Sequence, residues 1–152
     1  MMNQKQRKKT NFENGQSMVE LAVSIVVLLI LLAGVVDLGR VAFYYIAMRD
    51  AAQEGASYAS MFPNDCEEII KRVEAGSVDS SRIEVDLKIV GSECKPCGEY
   101  EYLPGDQIVI SVKDPDFPIT MPLLGTYIGA QDIELKTSVQ NSVIVVPKCP
   151  SP

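Results

Sequence analysis

Gly15-Gln16-Ser17-Met18-Val19-Glu20-Leu21-Ala22-Val23-Ser24-Ile25-Val26-Val27-Leu28-Leu29-Ile30-Leu31-Leu32-Ala33-Gly34-Val35-Val36 is the stretch that decides the fold, since Glu20 is its only charge. The sixteen residues from Leu21 to Val36 make about 24 Å of helix, a little short of the roughly 30 Å hydrocarbon core of a bilayer. Met18, Val19 and the apolar residues after Asp37 can extend it. A membrane helix follows, with the lipid bilayer as its first partner. Glu20 then needs a reason, because a carboxylate inside such a segment costs roughly 2.5–3.5 kcal/mol on insertion scales.

Working outward, residues 1–15 carry Lys5, Arg7, Lys8 and Lys9 against Glu13, a net +3, so the chain's −6 leaves −9 for the rest. Positive residues flanking a span stay on the cytoplasmic side, which puts the N-terminus inside and the C-terminal part outside a cytoplasmic (inner) membrane crossed once. Asp37 and Arg40, three apart on one helical face, mark where the helix leaves the lipid. A secretory cleavage site after Ala33 would have Leu31 where a small residue is needed, and a lipoprotein signal would need a cysteine near the apolar core, whereas the first is Cys66. A plain uncut signal anchor, with Gly15 a turn residue before the helix, is the simplest competing reading.

A basic leader ending in Gly15, an apolar stretch after it and Glu20 at the fifth position beyond Gly15 together resemble the signal of type IV pilins. The more specific resemblance is to the TadE-like family of the tight adherence (Tad, or Flp) pilus. It is carried by Gly15-Gln16-Ser17, Val19-Glu20-Leu21-Ala22, Gly34-Val35-Val36-Asp37-Leu38-Gly39-Arg40 and Ala51-Ala52-Gln53-Glu54-Gly55-Ala56-Ser57-Tyr58-Ala59. Pro104 to Val112 and Ile133 to Val139 look like the family's second half. Gln16 stands where classical type IV pilins usually have Phe. The resemblance implies a prepilin peptidase cutting between Gly15 and Gln16, a single-pass pseudopilin or minor pilin, and Glu20 setting axial register against the new amine of a neighbouring subunit. Other pilin subunits and the pilus assembly machinery are the implied partners, with adhesion the purpose of the filament.

Beyond Arg40, Leu38, Val41, Tyr45, Met48, Ala52, Ala56 and Ala59 recur at helical spacing, which predicts an amphipathic stalk to about Met61 with Asp37, Arg40, Asp50, Glu54 and Ser57 toward solvent. Phe62-Pro63-Asn64 ends it. Residues 65–75 read as a short helix stopped by Gly76, and Ile83, Val85, Leu87 and Ile89 as a strand with one wet face. Tyr100 to Tyr102 and Ile108 to Lys113 read as a hairpin turning at Pro104-Gly105-Asp106. A last long strand reads as running near Ile133 to Val146, with Ile133, Leu135, Thr137 and Val139 facing one way and Asp132, Glu134, Lys136 and Ser138 the other. Between these strands, residues 114–128 read as a proline-broken loop folding Phe117, Met121 and Leu124 over the sheet edge. The expected fold class is α+β, a long N-terminal transmembrane and stalk helix packed on a small antiparallel sheet. The expected division is a leader over 1–15, span and stalk over 16–62, and an extracytoplasmic head over 63–152. At 47% apolar and 22% charged residues, the composition is that of a folded head rather than a disordered chain.

Cys66, Cys94, Cys97 and Cys149 all fall on the outer side, where disulfides form. Of the three pairings, a tight Cys94–Cys97 loop with a Cys66–Cys149 tether is the one expected. Cys94-Lys95-Pro96-Cys97 has redox-motif spacing but sits among turn residues rather than at a helix N-terminus, and zinc would need all four thiolates reduced. No metal or cofactor is expected. The chain has no histidine, so imidazole-based dyads are excluded and an enzyme is not expected. The acidic balance disfavours nucleic acid, and no small-molecule substrate is indicated. The sequence thus points to a structural pilus subunit, the alternative being an unprocessed, signal-anchored binding module.

Overall fold

The computed structural model describes residues 13–119, 129 and 132–145. The basic leader from Lys5 to Lys9, Met121, Leu124 and Cys149 lie outside these. Helix α1 spans Glu13–Ala59, α2 spans Cys66–Gly76, and four strands follow: β1 Glu84–Ile89, β2 Ser92–Glu93, β3 Gln107–Pro118 and β4 Asp132–Ser142. The chain divides between Val36 and Asp37 into two compact units. The first is helical, and its apolar side chains from Met18 to Val36 are exposed to the surroundings.

The second unit is an α+β head. Its sheet runs β2-β1-β3-β4, every neighbouring pair antiparallel. Alternation puts Leu87, Ile89, Ile108, Ile110, Val112, Leu135 and Thr137 on one buried face and leaves Glu84, Asp86, Lys88, Glu134 and Lys136 in water, as a one-sided antiparallel sheet requires. Against that face lie Met48, Ala51, Ala52, Ala56 and Ala59 of α1 and Ile69 and Val73 of α2, in one core. Gly55 is needed there: a methyl group in its place would run into Val73 Cγ2 and come within 3.3 Å of Ile110 Cδ1. The alanines serve the same close approach of backbone to sheet.

Three local readings are corrected. The expected stripe of α1 is buried at Met48, Ala52, Ala56 and Ala59, with Val41 packed against the same core, but not at two positions: Leu38 is 72% and Tyr45 41% exposed, while Tyr44 is 7% exposed. Tyr44 takes the place of Tyr45, and Ala51 and Gly55 are buried beside Ala52 and Ala56, a choice that apolarity alone cannot make when both neighbours are apolar. The expected hairpin through Tyr100–Tyr102 is also replaced. That segment is not a strand, and β1 instead turns onto β2 through Val90 (φ 56°) and Gly91 (φ 74°), a type I′ geometry despite the β-branched residue. Finally, β3 does not stop at Asp114. It continues to Pro118 across a bulge between Asp114 and Phe117, and Pro115, which has no N–H to give the ladder, sits in that bulge.

The cysteines are corrected as well. Cys66 is bonded to Cys94, with Cα atoms 5.8 Å apart, so neither expected pairing involving these two forms. The cause is long-range: Asn64 Nδ2 donates to the carbonyls of Tyr100 at 3.1 Å and Lys95 at 3.4 Å, which holds the 94–100 loop against the start of α2. Cys97 is also disulfide-bonded. Tyr102 anchors the same loop from within, its buried hydroxyl accepting from the Lys95 N–H at 2.8 Å. Burial raises the phenol's pKa.

Candidate functional site

Two groups of residues bear on function. The first is the start of α1. Gly15, Gln16 and Glu20 all lie within the helix and are exposed, and a side chain at Gly15 would meet nothing within 4 Å. Gly15 is therefore a residue of the first helical turn and not a turn residue ahead of it. Glycine is the weakest ordinary helix former and the first turn lacks upstream hydrogen-bond partners, so this end unwinds at little cost. Gln16 and Glu20 stand four apart, one turn up the same face. Over the most apolar 18 residues the mean hydropathy is 2.9, and none of that window is buried within the protein. An apolar core helix of a soluble protein would be covered. This one is long and apolar enough to cross a membrane and is the only such helix among the described residues.

The second group sits where α1 enters the head. Arg40 Nη1 lies 3.6 Å from Asp37 Oδ1, as the three-residue spacing predicts. Tyr44 packs on Phe117 with ring centroids 4.9 Å apart, and the Arg40 and Arg82 guanidiniums stand 5.9 and 5.8 Å from the Phe117 centroid. The carboxylate of Asp114 is fully buried. Arg82 Nη2 donates to Asp114 Oδ2 at 3.1 Å and to the Asp116 carbonyl at 2.7 Å, and the Asp116 N–H donates to Asp114 Oδ1 at 3.1 Å. A charge buried and paired in this way locks the β3 bulge to the turn at Arg82 that precedes β1. Burial first, then the neighbouring Asp114 carboxylate, push the Tyr44 phenol up to about 12. Sequence reasoning passed over this cluster because it depends on the bulge, and Asp114-Pro115 reads as the end of a strand. Asp114 and Asp116 do not form a carboxylate pair: Asp114 is buried in an ion pair while Asp116 lends only its backbone. Among the described residues no three Cys, Asp or Glu side chains are grouped to hold a metal ion.

The region that matches known proteins takes in the first of these groups and, from the second, Asp37, Arg40 and Tyr44. Residues 15–57 match the family model of TadE-like proteins. The TadE-like segment thus begins at Gly15 and ends within α1, covering the apolar helix and most of the packed stalk but none of the sheet. No curated protein and no solved structure matches the chain. The TadE-like family is a structural one associated with pili, and the match over residues 15–57 together with the apolar N-terminal helix fits a Tad pilus-related minor pilin.

Proposed function

We propose that this protein is a membrane-inserted pseudopilin or minor-pilin-like subunit of a Tad-type pilus, cut by a prepilin peptidase between Gly15 and Gln16. The observation that carries the reading is the TadE-like match starting at Gly15 on a helix whose apolar surface the protein itself leaves uncovered. A helix of that kind needs lipid before assembly and sister helices after it. The leader stays in the cytoplasm and the head outside, so cleavage removes the cationic anchor while the greasy helix remains. The chain can then be drawn from the bilayer into a filament.

Cleavage also creates an α-amine at Gln16. Opposite charges about 4 Å apart attract by roughly 4 kcal/mol at an effective dielectric of 20, enough to offset the 2.5–3.5 kcal/mol cost of Glu20 in lipid. In this reading Glu20 pairs with the amine of a neighbouring subunit, and that pairing sets axial register. Gly15→Leu should leave the leader attached and abolish incorporation into filaments. Glu20→Val should be cut normally yet fail to assemble. Filaments that incorporate both variants like the parent would refute the proposal, and immunoblots of sheared pili read the outcome.

A further inference from the structure

The sheet ends at β4, and among the described residues no strand pairs with its outer edge. An edge strand of eleven residues presents unpaired N–H and C=O groups at every second position, a ready template for another chain. Here the edge opens into a groove of about 730 Å³ between β4 and the flank of α1. Its walls are Tyr45, Arg49 and Gln53 from the helix and Lys136 to Gln140 from the strand. We infer that this groove docks an extended acidic peptide segment of a partner protein, added to the sheet as a fifth strand beside β4.

The occupant follows from charge and shape. The lining holds two cations and no acid, on a chain whose net charge is −6. Neither cation has an ion pair among the described residues: the nearest acid on β4, Glu134, is taken by Lys113 at 3.8 Å, which leaves Lys136 without one. Arg49 comes from the helix side and Lys136 from the wet face of the sheet, so a strand laid between them meets one cation on each of its faces. Apart from Tyr45 and Val139 the lining is polar, which suits main-chain hydrogen bonding and suits a compact apolar ligand poorly. Lys136 to Gln140 offers about 14 Å of edge at 3.4 Å per residue, room for a five-residue strand. Tyr45 belongs to this surface, and its 41% exposure is then a contact waiting for its partner.

The test uses the full chain in lipid nanodiscs and a seven-residue peptide alternating valine and glutamate. Hydrogen exchange should slow at residues 136–140 when the peptide is added. A valine–lysine peptide should give no protection, and neither should a valine–glutamate peptide with alternate amides N-methylated. Arg49→Glu combined with Lys136→Glu, both exposed positions, should weaken the acidic peptide about tenfold by removing two partly exposed ion pairs and should let the basic peptide bind. The inference is overturned by equal binding of acidic and basic peptides, by protection elsewhere, or by an N-methylated peptide that binds as well. Protection, before any peptide is added, of those amides of 136–140 that point away from β3, if independent of protein concentration, would show the edge covered by the chain itself. Protection that rises with protein concentration would make the occupant a second copy, and either result overturns the partner assignment. None of these readouts depends on cleavage at Gly15.

Discussion

The two parts of α1 share a backbone conformation and differ in almost everything else. From Leu21 to Val36 the helix is uncharged all round and largely uncovered, whereas from Asp37 to Ala59 it has one buried stripe of small residues and one polar side. The first part can only be at rest in a solvent without water, where internal backbone hydrogen bonds are obligatory and side chains need not be shielded. The second is stabilised by burying alanines, Met48 and Tyr44 against a sheet, with propensity a minor contributor. One helix is therefore built for two media, and substitutions should have opposite consequences in its two parts.

The largest effect belongs to the packed part. Arg82→Ala should strand the Asp114 carboxylate in the core and destabilise the head by about 3–5 kcal/mol, seen as a lower denaturant midpoint by tyrosine fluorescence, while membrane integration is unchanged. Next comes the bare part: Leu28→Asp should cost roughly 2.5–3.5 kcal/mol of insertion, whereas Gln53→Asp, on the exposed side of the packed part, should leave integration intact. Carbonate extraction of membranes distinguishes the two. Equal loss from both positions would erase the proposed contrast.

Tyr44 sharpens the comparison through pH. Its folded pKa is raised from 10.0 to about 12, so the folded state holds the proton more tightly than the unfolded one. The stabilisation is fully present below pH 10 and is lost as pH climbs toward 12, on the order of 3 kcal/mol at most. Urea midpoints of the parent should fall over that window more steeply than those of Tyr44→Phe, and parallel curves would contradict the burial described here. The smallest effect is Leu38→Ser, expected to change head stability by no more than about 0.5 kcal/mol because Leu38 is 72% exposed. A cost of several kcal/mol would return Leu38 to the buried stripe.

Much of this contrast was legible in residue order. Sixteen uncharged residues announce a span, and the alternation of β1 and β4 told inner from outer faces, because a period of two has only two solutions. A helical stripe is less decisive where Tyr44 and Tyr45 are adjacent and both fit, and the sheet chose between them. Pro115 looked like a strand end and proved to be a bulge, since nothing local reveals that β4 waits to pair beyond it. β2 is too short to leave a pattern, and the Cys66–Cys94 bond joins residues 28 apart that only the Asn64 contacts bring together. At the start of α1, Gly15, Gln16 and Glu20 stand out as a group in the sequence because the role proposed for them rests on order along the chain. The cluster around Asp114 and the groove at β4 depend on three-dimensional neighbours, and no spacing encodes them.

The central claim is that a leader is cut from an apolar helix that then belongs to an assembly. It is tested most directly by mass spectrometry of the N-terminal peptide from native protein, purified from cells with an active prepilin peptidase. The account predicts a peptide beginning at Gln16, free or cyclised. A terminus at Met1 or Met2, with the lysines of the leader still attached, would contradict it.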